Sequence, residues 1–194
     1  MKTIIFDFDW VIHDTFEFHR KSIYDFFGIK LNPQEYKDVH NWNFFINVNK
    51  LFWVVWEKYR DFVYEDFINL KIDKNIKKTL EILSKKSDLH IVSSWWRQNM
   101  QDYLKNNWAL QYFKEILWLE HAKSKVDKLN YLIEKYTLKK DEIIFVTDTL
   151  WDILEANELG LKTIWVDFWY HDKETLSKWN PFKIISSFSE LLNI

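Results

Sequence analysis

The feature that most constrains the fold is an alternation of strand-like and helix-like segments that begins near residue 88. Short runs of β-branched and aromatic residues predict strands at 88–94, 142–148, 162–167 and 182–187, with a weaker one at 115–119. Helices are predicted between them, at 96–107, 125–136 and 152–159. Strands that alternate with helices favour right-handed βαβ units, so we predict an α/β fold with a parallel sheet.

The part of the chain before residue 88 has a different pattern. Residues 2–9 are predicted to form a short apolar strand that ends in acids, whereas residues 14–87 are mostly helical in pattern. Because this stretch is too long for a single crossover connection, we predict that 14–87 is an inserted helical cap. The core domain is then formed by 1–13 together with 88–194.

Local signals divide the insertion into helices. Asp14 and Gly28 suit the two ends of a first helix, and Asn32-Pro33 suits the start of a second. Two stripes of residues near period 3.6 predict further helix faces. They are Leu51, Val54, Val55, Lys58 and Phe62 in the first stripe, and Ile76, Leu80 and Leu83 in the second.

Composition excludes several classes of protein. The chain has no cysteine, which rules out disulfides, thiolate metal sites and a cysteine nucleophile and fits a reducing compartment. No signal peptide is recognisable and no run of roughly 18 apolar residues occurs, so we expect no membrane partner. The formal net charge of −2, with acids and bases mixed, argues against a nucleic-acid partner. We expect a cytoplasmic monomer or homodimer.

Polar side chains follow three of the predicted strands, where each strand ends. They are Asp7 and Asp9 after the first strand, Ser93 and Ser94 after the second, and Asp148 and Asp152 after the strand at 142–148. In an open parallel sheet, ligands bind beyond the carboxyl ends of the strands. Any one of these side chains alone is better explained as a helix cap.

Asp7 is harder to explain as a cap because it lies inside the apolar run IIFDFD, where an unpartnered acid is costly. Four carboxylates at one sheet edge would also repel one another. A bound divalent cation resolves that repulsion, and oxygen ligands without histidine or thiolate favour Mg²⁺ over zinc.

Lys125 is a candidate for the positive charge that would pair with these carboxylates. Ser124 and Asp127 flank it in a pattern typical of a helix N-terminus. A lysine there is unfavourable against the helix dipole unless an anion lies nearby. Lys123 is a competing candidate, and a solvated lysine in a lysine-rich chain is the simpler alternative for both.

These motifs resemble those of the haloacid dehalogenase superfamily, in its phosphoglycolate phosphatase-like and β-phosphoglucomutase-like branch with a small helical cap. The first motif, D-x-D-G-[TV], is similar to FDFDWVIHDT at Asp7, Asp9 and Val11. The second matches Ser93 in HIVSS, and the third, a lysine that opens a helix, matches Lys125. The acidic fourth motif is similar to VTDTLWD at Asp148 and Asp152.

The resemblance implies a Rossmann-like core and a Mg²⁺-dependent phosphatase that acts on a small phosphorylated metabolite. Asp7 would become phosphorylated and Asp9 would act as general acid and base. The implied metal ligands are Asp7, Asp9, Asp148 and Asp152, and the implied phosphate ligands are Ser93, Ser94 and Lys125. A sugar-phosphate mutase of the same superfamily is an alternative, since it would use the same two aspartates.

Glycine is rare in this chain and tryptophan is abundant. There are 2 glycines and 12 tryptophans, although about 14 glycines would be usual at this length. Several tryptophans stand where the family pattern has glycine or a small residue. They are Trp10, Trp95, Trp96, Trp151, Trp165 and Trp169.

We hypothesise that UGA codons are read as glycine in the source organism and that the written tryptophans are a translation artefact. The competing interpretation is a genuinely tryptophan-rich relative. In that case the chain could be a non-catalytic binding protein with an aromatic interaction surface. The histidines show no ligand spacing, and His90, inside a strand, is interpreted as a packed residue.

Overall fold

The computed structural model describes residues 2–40, 50–122, 124–167 and 181–194. Six strands form one sheet: β1 (Thr3–Phe6), β2 (Asp88–Val92), β3 (Glu115–Leu117), β4 (Ile143–Thr147), β5 (Lys162–Val166) and β6 (Lys183–Ile185). The helices are α1 (Phe16–Phe27), α2 (Pro33–His40), α3 (Lys50–Asn69), α4 (Lys74–Ser84), α5 (Arg97–Asn106), α6 (Lys125–Tyr136) and α7 (Leu150–Glu158). Short 3-10 helices lie at Leu110–Tyr112, Lys140–Glu142 and Phe188–Asn193.

All strand pairings are parallel, and the order across the sheet is β3-β2-β1-β4-β5-β6. The predicted α/β fold with a parallel sheet is therefore confirmed. β1 lies between β2 and β4, with Ile5 opposite His90 on one side and Phe145 on the other. The strand order reverses at β1, so a crevice opens beyond the carboxyl ends of these three strands.

The sheet is buried on both faces, which explains the nearly continuous apolar character of its central strands. Side chains alternate between the two faces. Phe6 belongs to a large cluster with residues of α4 and α5, whereas Ile5 belongs to a second cluster with Leu129 and Leu132 of α6. The first cluster also contains Phe8, which anchors the chain just beyond β1.

The predicted helix ends agree with the structure within a few residues. Gly28 terminates α1 in a left-handed conformation, with φ of 70°, and its N–H donates to the carbonyl of Tyr24 at 2.8 Å. The side chain of Asn32 accepts hydrogen bonds from the N–H groups of Gln34 and Glu35 at the start of α2.

The first predicted stripe is wrong for α3. Val54 and Phe62 are 44% and 49% exposed, whereas Tyr59, Val63 and Phe67 are buried. Apolar residues lie all around this helix, so spacing alone did not select the buried face. The side chain of Leu51 is outside the described part of the structure. The second stripe, Ile76, Leu80 and Leu83, is buried as predicted.

The boundary of the helical cap, placed at residue 87, stays a prediction. α4 makes contacts with β2 and with the last 3-10 helix, whereas α3 contacts α1 and α5. Within the described residues, no helix has both the length and the apolar character needed to cross a bilayer.

His90 is fully buried in β2, next to the ring of Tyr136, as expected for a packed residue. Neither ring nitrogen has a hydrogen-bond partner among the described residues, and burial lowers the pKa of His90 to about 4. The unfolded chain therefore binds a proton below about pH 6.5 that the folded chain binds only below about pH 4.

Stability that is present above pH 6.5 is consequently lost as the pH falls through this window. We expect urea unfolding at pH 5 to show a lower free energy of unfolding than at pH 7, with His90 contributing up to about 2 kcal/mol. His90→Leu should remove this share of the pH dependence. His121→Gln should remove a smaller share, because burial also lowers the pKa of His121 although its side chain is exposed. An unchanged pH dependence in His90→Leu would contradict the assignment.

Candidate active site

The candidate site lies beyond the carboxyl ends of β1, β2 and β4. Asp7 follows β1 directly, and its N–H donates to the carbonyl of Val146 in β4 at 2.9 Å, so the backbone at Asp7 is fixed by the sheet. Asp7 is 6% exposed and Asp148, which follows β4, is fully buried. Ser93 is also fully buried, just after β2. The structure thus places these strand-end residues at one edge of the sheet, and their roles stay predictions.

Lys125 joins two of the carboxylates. Its Nζ lies 2.6 Å from Oδ2 of Asp7 and 2.5 Å from Oδ2 of Asp152, and all three residues are buried. Burial opposes the charge on Lys125, but Asp152 and Asp7 outweigh it, and its pKa is raised. A buried cation shared by two carboxylates removes much of the repulsion expected at this sheet edge.

The start of α6 places Lys125 in this position. The Ser124 side chain caps the helix by accepting from the N–H of Asp127 at 3.4 Å. The competing residue, Lys123, is outside the described residues. Asp152 also accepts a hydrogen bond from the hydroxyl of Thr147 at 2.6 Å.

Asp9 has a different environment from Asp7. Its Oδ1 accepts from the hydroxyl of Thr15 at 2.7 Å and lies 3.2 Å from Nε2 of His19. Burial alone would raise the pKa of Asp9, but the hydrogen bonds from His19 and Thr15 together with the charge attraction of His19 lower it. The two acids of the first motif therefore have opposite tendencies, since burial raises the pKa of Asp7 in spite of Lys125.

Asp148 is the acid whose charge is least compensated. Neither of its carboxylate oxygens has a hydrogen-bond partner among the described residues. Burial, followed by repulsion from Asp7 and Asp152, raises its pKa well above the usual value. An orphaned buried carboxylate beside a second one fits a divalent cation with oxygen ligands.

The four predicted metal ligands do not converge as a set. Among the described residues, no group of three or more acidic or histidine side chains has the geometry of a metal site. Asp152 is engaged by Lys125 and Thr147, and Asp9 by Thr15 and His19. A cation here would be held by few side chains, together with backbone oxygen, water and substrate, which is usual for Mg²⁺.

The segment after β2 is fixed at several atoms. The N–H of Ser93 donates to the carbonyl of Leu117 at 2.8 Å, and its Oγ accepts from the N–H of Trp95 at 3.0 Å. Ser94 is half-buried. Ser93 is therefore held in place at the sheet edge where Asp7 also lies.

Comparison with known proteins agrees with this geometry. The sequence model for haloacid dehalogenase-like hydrolases matches residues 4–166. This chain belongs to that family. A phosphoglycolate phosphatase of Vibrio parahaemolyticus is 28% identical over 123 residues, which cover 61% of this chain and 54% of that protein. The matched region thus spans little more than half of that relative's length.

Solved structures confirm the haloacid dehalogenase-like fold. A haloacid dehalogenase-like family hydrolase from Streptococcus pneumoniae is 20% identical with a TM-score of 0.81, covering 100% of this chain and 97% of that one. CbbY from Rhodobacter sphaeroides, in complex with phosphate, is 15% identical with a TM-score of 0.82, covering 98% and 96%. At these identities the likeness concerns the fold alone.

Two tryptophans of this family member adopt a backbone conformation that suits glycine. Trp10 has φ of 56° and Trp108 has φ of 52°, and the remaining non-glycine residue with positive φ in the described part of the chain is Thr137. A left-handed conformation costs a residue with a Cβ about 1–2 kcal/mol. Trp10 was expected at such a site; Trp108, at the end of α5, was missed.

Trp95 follows the two serines and is 5% exposed. Its ring lies 4.6 Å from the ring of His19 and 5.2 Å from that of Phe67, measured between centroids. Its indole Nε1 is buried without a hydrogen-bond partner among the described residues. A bulky side chain therefore lies directly against the histidine that contacts Asp9.

The other tryptophans behave differently. Trp151 lies in the first turn of α7, and Trp165 is fully buried in β5, where its Nε1 donates to the carbonyl of Asp148 at 2.7 Å. Neither has a positive φ. Backbone conformation thus supports glycine at positions 10 and 108. It does not require glycine at positions 151 and 165. Trp169 lies outside the described residues.

Sequence reasoning also missed Lys128, one turn beyond Lys125 in α6. It is 1% exposed, and its Nζ donates to the carbonyl of Ser93 at 2.7 Å. The available signal was its spacing, which places it on the same helix face as Lys125. His19 contacts Asp9, whereas His13 contacts the hydroxyl of Tyr103.

Proposed function

We propose that this chain is a Mg²⁺-dependent phosphatase that hydrolyses a small phosphomonoester through a phosphorylated Asp7. The observation that carries the proposal is the buried pair of Asp7 and Lys125 beside the orphaned carboxylate of Asp148. The similarity to a phosphoglycolate phosphatase supports the same class of substrate. The preference for a metabolite over nucleic acid rests on the nearly balanced charge of the chain.

In the first step, a carboxylate oxygen of Asp7 forms a bond to phosphorus as the bond to the leaving oxygen breaks. Asp9 gives its proton to that oxygen, which leaves as an alcohol. In the second step, water attacks phosphorus and Asp9 takes its proton. The acyl phosphate bond breaks, which restores the Asp7 carboxylate and releases inorganic phosphate.

The environment of Asp9 suits the second step. Hydrogen bonds from Thr15 and His19 lower its pKa, so Asp9 is ionised in the conformation described. An ionised Asp9 is ready to accept the proton of water. To donate a proton in the first step, Asp9 must be protonated when substrate is bound. The approaching phosphate dianion favours that state because it repels the carboxylate.

Other residues of the chain would bind the phosphoryl group. Lys125 neutralises Asp7 and would also attract the phosphate oxygens, while Ser93 and the N–H of Ser94 would donate hydrogen bonds to them. Asp7, the backbone carbonyl of Asp9 and Asp148 would hold Mg²⁺, with Asp152 acting directly or through water. When bound, the ion supplies positive charge to the phosphoryl oxygens.

The proposal is tested by measuring phosphate release from 2-phosphoglycolate, p-nitrophenyl phosphate and several sugar phosphates. We expect turnover with Mg²⁺ that is lost in EDTA and restored by added Mg²⁺. Conversion of one sugar phosphate into its isomer without phosphate release would favour the mutase alternative. Folded protein that binds Mg²⁺ but turns over none of these compounds would contradict the phosphatase assignment.

A further inference from the structure

Lys128 is a buried lysine that the proposed chemistry does not use. It is 1% exposed and belongs to α6, three residues after Lys125, so both side chains leave the same face of the helix. A buried ammonium is costly unless it is paired or hydrogen-bonded. Asp7, Asp152 and Glu155 attract its charge, but no ion pair to Lys128 occurs within the described residues.

The acceptor that Lys128 does have is the carbonyl of Ser93, at 2.7 Å. This carbonyl belongs to the same peptide group as the N–H of Ser94. In a planar trans peptide, the C=O and N–H bonds point in opposite directions. When Lys128 holds the carbonyl towards α6, the N–H of Ser94 is therefore turned away from α6.

On the side that faces away from α6, the N–H of Ser94 is available to donate a hydrogen bond. Ser93 itself is fixed through its N–H to Leu117 and through its Oγ, which accepts from Trp95. No acceptor for the N–H of Ser94 is found among the described residues. An ammonium at the carbonyl end of a peptide also polarises it, which makes the N–H a stronger donor.

We propose that Lys128 is a positioning residue, which orients and polarises the Ser93–Ser94 peptide so that the Ser94 N–H binds a phosphate oxygen. The inference rests on the proposed function, because it assigns a role at the same phosphate site. Burial, followed by repulsion from Lys125, lowers the pKa of Lys128 to about 7. A bound phosphate dianion favours its charged form.

The test is the binding of inorganic phosphate to ¹⁵N-labelled full-length chain, which needs no turnover. In the unaltered chain we expect the Ser94 amide resonance to shift strongly as phosphate is added. Lys128→Met should weaken phosphate binding by roughly tenfold or more, since it removes a hydrogen bond from a charged donor. Lys128→Gln, which keeps a neutral donor, should recover part of the affinity.

Lys139→Met, at an exposed lysine, is the matched control and should bind phosphate normally. Unchanged phosphate affinity in Lys128→Met would overturn the inference. A Ser94 resonance that does not respond to phosphate in the unaltered chain would also overturn it. This second measurement tests the inference even if Lys128→Met does not fold. Absence of turnover with every phosphomonoester tested would instead contradict the proposed function.

Discussion

Asp7→Asn is expected to abolish phosphate release, with a loss of at least about 10⁴-fold in kcat. The amide is nearly the same size as the carboxylate but lacks the nucleophilic charge, so no acyl phosphate forms. Lys125 keeps its contact with Asp152 at 2.5 Å, so the buried ammonium stays paired in the variant. We therefore expect the variant to fold, and its far-ultraviolet circular dichroism should match that of the unaltered chain.

The matched control is Asp14→Asn, which alters an exposed carboxylate in the same loop. Asp14 accepts from the N–H of Phe16 at 3.1 Å and makes no contact with Lys125 among the described residues. The control should keep its turnover within about twofold, because an amide oxygen can accept the same hydrogen bond. Turnover in Asp7→Asn close to that of the control would exclude Asp7 as the nucleophile.

Much of the fold was predictable because local and long-range signals agree. The start of α6 at Lys125 follows from the capping serine and from apolar spacing along the helix. The strand ends meet at one edge because every strand pairing is parallel. The face of α3 was not predictable, since Val54 and Phe62 are as apolar as the residues that the core selects.

The finer arrangement of the site depends on contacts between distant parts of the chain. Lys128 looks like a solvated residue in the sequence, and its burial follows from the packing of α6 against β2. The contact between His19 and Asp9 arises because the chain turns sharply after Phe8, whose carbonyl accepts from the N–H of Ile12 at 2.9 Å. Spacing indicates only that Lys128 shares a helix face with Lys125, and the contact between His19 and Asp9 has no signature in residue spacing.

The second large expected effect is on catalytic efficiency, when glycine replaces tryptophan at positions where the family pattern has glycine. We expect a chain with glycine at positions 10, 95 and 151 to exceed the written chain in kcat/KM by at least about tenfold, because bulky rings next to the catalytic motifs crowd the space for a phosphate; tenfold corresponds to about 1.4 kcal/mol. Removal of the Trp95 ring, which lies 4.6 Å from that of His19, also frees space beside Asp9. The measurement is Mg²⁺-dependent phosphate release by both chains.

Trp108→Gly separates backbone strain from blockage of the site. Trp108 has φ of 52° but is 75% exposed, so its ring contributes little packing. We expect Trp108→Gly to raise the free energy of unfolding by about 1 kcal/mol and to leave turnover unchanged, while Trp108→Ala retains the strain. Equal turnover of the written and triple-glycine chains, or UGG codons at 10, 95 and 151, would contradict the hypothesis that these residues are glycine in the cell.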